Sequence, residues 1–150
     1  VGSEMCIRDR PVKRFDIHGK LLLETNNKLY FSDHGIRNHL CEPDIRGSIE
    51  KVMENVVWNH LRRQGFDVTV GILRAGEIDF VATRAEQRIY VQVTYLLASD
   101  ETVKREFGNL AAIQDNYPKY VVSMDPLCGG FGEYPGIRHI NLRDFLKTNL

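Results

Sequence analysis

The chain reads as an α/β domain, and three observations predict that class. Ile49, Val52, Met53, Val56, Val57 and Leu61 recur at helical spacing over residues 48–64 and form one apolar face. Three strand-like runs follow at short intervals: Phe66 to Leu73, Glu77 to Thr83 and Arg88 to Leu96. A second helical pattern over Glu101 to Asn116 then leads into Lys119 to Met124, rich in β-branched and aromatic residues. The order from residue 48 is therefore α-β-β-β-α-β, with a short β-α unit after it.

Each element has a local cause. Gly65 stops the first helix, because glycine accepts the left-handed backbone that ends a helix. Arg74-Ala75-Gly76 and Arg84-Ala85-Glu86-Gln87 are short enough to be hairpin connections. Ser99 or Asp100 caps the second helix, with Val103, Phe107, Leu110 and Ala111 facing inward. Tyr117-Pro118 ends it, since the residue before proline avoids helical backbone. Residues 125–136 form a loop rich in glycine and proline, and Gly129-Gly130-Phe131-Gly132 is a turn without the Gly-Lys-Ser/Thr of a phosphate loop. Ile137 to Ile140 is a short strand, and Asn141 caps a last helix over Leu142 to Lys147.

Upstream, Val12 to Ile17 and Lys28 to Ser32 read as two strands, and His18-Gly19-Lys20 reads as a turn. Asp33 can cap a helix over His34 to Leu40, and Cys41 to Gly47 is a linker. Residues 1–10 resemble a translated sequencing adapter, so fold reasoning starts at Pro11, with the expectation that the natural chain extends further upstream.

Twenty Lys and Arg balance twenty Asp and Glu, which argues against a strongly basic nucleic-acid clamp and leaves room for a local basic patch. No apolar run is long enough to span a bilayer, and the cysteines have no C-x-x-C spacing, so a cytoplasmic location is expected.

The chemistry concentrates on the two middle strands. Alternation puts Glu77 and Asp79 on one face, with Ile78 and Phe80 on the other. Tyr90, Gln92 and Thr94 share a face opposite Val91 and Val93. If the two strands pair, Asp79 and Gln92 sit side by side. Glu54, at the margin of the apolar helix face, can reach Asp79. Two carboxylates and an amide oxygen suit a hard cation such as Mg²⁺, and Glu77 can add a ligand. The plainer reading makes these acids a solvated strand face and a surface helix acid. His60 reads as a satisfied core histidine. Trp58 points off the apolar stripe, toward a missing domain or another subunit.

Several ordered runs carry a resemblance. They are Lys28-Leu29-Tyr30-Phe31-Ser32-Asp33-His34-Gly35, Glu54-Asn55-Val56-Val57, Gly76-Glu77-Ile78-Asp79-Phe80-Val81-Ala82, Tyr90-Val91-Gln92-Val93, Arg105-Glu106 and Tyr117-Pro118-Lys119-Tyr120. Together they resemble the C-terminal domain of unknown function in bacterial and archaeal AAA-type ATPases, with a PD-(D/E)XK nuclease fold. The resemblance implies a restriction-endonuclease-like core over 44–150, preceded by a truncated winged-helix hairpin and linker over 11–43. It implies an absent N-terminal ATPase domain that binds ATP, and a homo-oligomer at full length. Asp79, Gln92 and Glu54 match the catalytic positions, and Glu54, Glu77, Asp79 and Gln92 the metal positions, with Mg²⁺ as the expected ion. Thr94 stands where the fold carries its lysine; Lys104 or Lys119 could in principle reach in, though nothing in the sequence shows that either does. The expected function is thus a DNA-binding accessory module whose nuclease chemistry is degenerate or absent. The alternatives are a protein-interaction or oligomerisation module without DNA binding, and an active Mg²⁺-dependent endonuclease.

Overall fold

The computed structural model describes residues 9–32, 45–74, 76–126 and 133–150. The expected helix over His34 to Leu40, most of the linker and the Gly129–Gly132 turn lie outside the described residues. The elements are β1 (Asp9–Asp16), β2 (Leu21–Phe31), α1 (Ile45–Arg63), β3 (Asp67–Leu73), β4 (Gly76–Arg84), β5 (Gln87–Val93), α2 (Asp100–Ala111), β6 (Lys119–Ser123), β7 (Ile137–Asn141) and α3 (Leu142–Phe145).

One seven-stranded mixed sheet holds them, in the order β2-β1-β3-β4-β5-β6-β7. The hairpins β1/β2, β3/β4 and β4/β5 are antiparallel, while β1/β3, β5/β6 and β6/β7 are parallel. Each parallel step crosses over through intervening chain, as parallel pairing requires. The architecture is therefore mixed α/β. The upstream hairpin is an extension of the central sheet, through Arg14 to Asp16 paired with Val70 to Ile72. Its first strand starts at Asp9, so two residues of the segment set aside on sequence grounds take part in the ladder.

Two apolar clusters lie on opposite faces of the sheet. Met53, Val57, Trp58 and Leu61 of α1 pack with Tyr30, Phe66, Phe80, Val91 and Phe145. Phe107 and Leu110 of α2 pack with Ile78, Val81, Tyr90 and Val121. Phe66, Phe80, Tyr90, Phe107 and Phe145 are fully buried, each contributing about 1.5–3 kcal/mol by leaving water.

The added hairpin also rotates α1 from its expected orientation. Trp58 is buried and stacks on Tyr30 of β2, with ring centroids 5.7 Å apart, while Ile49 is exposed. A sheet widened by two strands offers the helix a broader surface to cover, and Trp58 covers it. Asn55 fixes the contact: its side chain accepts from Phe31 N at 2.7 Å and donates to Phe31 O at 2.6 Å. That amide mimics a neighbouring strand and ties β2 to the helix.

The helix caps follow their sequence signals, while α1 begins at Ile45, inside the expected linker, and α3 ends at Phe145, short of Lys147. Gly65 takes a φ of +82°, and the bonds Phe66 N to Leu61 O and Gly65 N to Arg62 O close α1. Ser99 caps α2 by accepting from Thr102 N, and Asn141 caps α3. However, α2 stops at Ala111 rather than Asn116. Asp115 binds Tyr117 N and the Tyr90 hydroxyl there, and a local side-chain bond of this kind competes with helical backbone.

Candidate functional site

β4 is not a regular strand. Thr69 pairs with Val81 but Gly71 pairs with Ile78, so Asp79 and Phe80 together face Val70. One residue is therefore extra, which defines a β-bulge. The expected alternation fails here: Ile78 joins the α2-side cluster and Phe80 the α1-side cluster. Ile78 and Val81 then crowd the same side, above Gly71. A Cβ on Gly71 would come within 2.9 Å of Val81 Cγ2 and 3.0 Å of Ile78 Cβ, so only glycine fits beneath the bulge.

The bulge aims Asp79 into a buried polar nest. Its Oδ2 accepts from Val93 N at 2.9 Å, and its own N–H donates to Gln92 Oε1 at 3.3 Å. Asp79 and Gln92 are thus neighbours, as the hairpin register requires. From α1, Glu54 accepts a hydrogen bond from the Tyr30 hydroxyl at 2.9 Å. Glu77 pairs with Arg14 of β1 at 2.6 Å.

Lys28 of β2 draws these acids together. Its Nζ lies 3.5 Å from Glu77 Oε2, 3.6 Å from Asp79 Oδ1 and 4.0 Å from Glu54 Oε2. The expected convergence of Glu54, Glu77, Asp79 and Gln92 occurs, and an ammonium stands at its centre. Burial alone would lower the Lys28 pKa, but the three carboxylates outweigh it and raise the value. Asp79 is pushed up to about 7, first by burial and then by Glu54, against the pull of Lys28 and the Val93 N–H. Burial and Glu54 likewise raise Tyr30. Glu106 of α2, held by Arg105 at 2.6 and 2.8 Å, adds to the negative field on Asp79.

The donor set answers whether a divalent ion fits this arrangement. Gln92 Oε1 is engaged by the Asp79 N–H, Asp79 Oδ2 by Val93, and Glu54 Oε2 by Tyr30. Among the described residues, no group of three or more His, Cys, Asp or Glu side chains is placed to hold a metal. As arranged, these residues neutralise a lysine and do not present a ligand shell.

Neither Lys104 nor Lys119, the two lysines that could in principle reach in, does so. Lys119 is buried against Asp115, donating to its backbone O at 2.6 Å, and Lys104 is exposed on α2. Thr94 is buried and carries no charge. Sequence reasoning missed Lys28 and Tyr30 as site residues. Their i, i+2 spacing puts both on one face of β2, but nothing local shows that β1 splices that strand onto β3. His60 is half-buried, shares a 2.7 Å hydrogen bond with Gln64 and lies tilted against Phe145, a satisfied histidine at the core's edge.

Among the described residues, no helix is long and apolar enough to cross a membrane. No family model and no solved structure matches the sequence. A protein of Haemophilus influenzae described as uncharacterized is 37% identical over 111 residues, which cover 74% of this chain and 27% of that protein. The chain thus spans about a quarter of the length of the relative it matches.

Proposed function

We propose that this chain is a nuclease-fold accessory module of a larger AAA-type ATP-binding protein, one that contacts DNA without cutting it. The observation carrying this reading is Lys28 among Glu54, Glu77 and Asp79, at 3.5–4.0 Å from all three. A nuclease of this fold needs a divalent cation between its acids to polarise the scissile phosphate. Here a lysine fixed by the scaffold stands among those acids and offsets part of their charge, and Thr94 leaves the usual lysine position uncharged. Lys28 links Glu54 to Asp79, the Asp79 N–H donates to Gln92, and oxygens of all three serve internal hydrogen bonds, which supports the reading. The ATPase domain, the homo-oligomer and the cytoplasmic location belong to the same proposal.

The test combines binding and cleavage. A labelled duplex should bind weakly, with affinity falling steeply between about 50 and about 200 mM salt. Plasmid incubated with Mg²⁺ or Mn²⁺ should stay intact, for wild type and Asp79→Ala alike. Cleavage that Asp79→Ala abolishes would establish the endonuclease instead. Calorimetry with Mg²⁺ sharpens the point: Lys28→Gln should gain heat of binding that the wild type lacks.

A second reading has its own support. Leu21, Leu22 and Leu29 of the edge strand β2 are 64%, 59% and 58% exposed. An apolar sheet edge invites strand addition by a partner or a second copy. Light scattering of wild type against Leu22→Lys tests this: a dimer that the substitution dissociates supports the interaction module.

A further inference from the structure

The face of the sheet away from α1 carries a second cation in a different setting. Arg88 of β5 projects there with its guanidinium 5.3 Å from the Phe15 ring centroid and 5.5 Å from that of Tyr117. The Tyr90 hydroxyl nearby donates to Asp115 Oδ2 at 2.6 Å. Among the described residues no carboxylate pairs with it, and its buried Nε has no hydrogen-bond partner. The two rings flank the guanidinium, and among the described residues it forms no ion pair.

Arg88 also stands where two clefts meet. β1 pairs with β3 only from Arg14 to Asp16, so the strands part above Asp67 to Thr69, where Pro11 brings no N–H to a ladder. The gap is a cleft of about 500 Å³, lined by Pro11, Phe15, Leu22, Thr69 and Val81, with Arg88 at one end. A second cleft, about 630 Å³, runs from Thr83 and Arg88 past Gln87 to Tyr117. Thr83 and Arg88 line both, so the two clefts are neighbours and together form a track. Lys13 and Arg62 also line it. The lining acids are Asp67, which pairs with Arg62 at 2.8 Å, and Glu86.

We propose that this track binds a single strand of nucleic acid, with a backbone phosphate on Arg88 and a base on the exposed ring of Tyr117. The inference rests on the nucleic-acid reading above and moves the contact away from the acidic cluster. Three carboxylates around Lys28 repel a phosphodiester. An arginine fork beside aromatic rings, between two neighbouring clefts, matches one, because phosphates pair with the fork and any base can stack. An acidic peptide would use the charge but leave the rings without planar partners.

The experiment is fluorescence anisotropy of the full chain with a labelled oligothymidine of about 20 nucleotides. Arg88→Ala should weaken binding at least about fivefold and reduce the slope of log affinity against log salt by about 0.7. Tyr117→Ala, at an exposed position, should weaken it about fivefold with little change in slope. Circular dichroism confirms that each variant folds. If wild type binds but both variants stay within about twofold of it, the track is the wrong surface while the nucleic-acid reading survives. Loss of binding on Lys28→Gln alone would place the contact at the acidic cluster. Displacement by an oligoglutamate peptide as readily as by unlabelled oligonucleotide would overturn the strand assignment in favour of an acidic peptide. No binding of the oligothymidine by wild type would overturn the strand assignment, and the duplex titration alone would then decide the nucleic-acid reading.

Discussion

Lys28 and Arg88 sit on opposite faces of one sheet and meet opposite fates. Lys28 is enclosed by Glu54, Glu77 and Asp79, and its charge is spent inside the molecule. Arg88 is flanked by Phe15 and Tyr117, and among the described residues it forms no ion pair. The difference shows why zero net charge says little about binding. What matters is which cations have carboxylate neighbours, and only the fold decides that.

The largest expected effects test whether the two faces are equally well built. Phe80→Ala on the α1 side and Phe107→Ala on the α2 side both remove fully buried rings. Each should cost about 4 kcal/mol in urea unfolding. A loss below about 2 kcal/mol on one side would mark that face as the more loosely packed.

Next come the two cations themselves. Lys28→Met leaves three carboxylates facing one another. It should cost about 2 kcal/mol, less than for a fully buried pair because the lysine side chain is 29% exposed. Arg88→Met removes only ring contacts and should cost about 1 kcal/mol or less. Equal losses would erase the contrast between the faces.

The pH dependence of stability gives a third handle. Asp79 carries a folded pKa raised from 3.8 to about 7. Between those values the folded state binds more protons than the unfolded one, so this residue makes stability fall as pH rises through the window. Above pH 7 its penalty is complete. Asp79→Asn should flatten that part of the curve, read by chemical denaturation from about pH 4 to about pH 8. An unchanged slope would mean that Lys28 already holds the carboxylate ionised. Arg88→Met should leave the slope as it is.

The smallest effect belongs to a position outside both cation sites. Ser99→Ala removes the cap on Thr102 N and should cost about 1 kcal/mol. A much larger loss would show that the start of α2 is coupled to the neighbouring site through Arg105 and Glu106.

Much of the domain could be read from local pattern. The helices, the three-strand meander and the caps at Ser99 and Asn141 follow from periodicity and turn chemistry, which act within a few residues. Proximity of Glu54, Asp79 and Gln92 was legible because one helix and one hairpin place them. The rest depended on long-range pairing. Insertion of β1 beside β3 brings Lys28 to Asp79 and Phe15 to Arg88, and no local signal encodes a parallel pairing across more than fifty residues. The bulge was hidden for a related reason. A run of apolar residues interrupted by one acid looks the same whether the strand is pleated evenly or not.

That bulge makes Asp79 an optional residue as far as architecture goes. Glu77, Ile78, Phe80 and Val81 would alternate between the two faces without interruption if position 79 were simply left out, since Ile78 and Phe80 already lie on opposite sides. A chain shortened by that single residue would keep both cores in phase and lose one carboxyl group. The fold therefore carries this acid as an insertion in its strand register, tied in by the Val93 N–H and by Lys28.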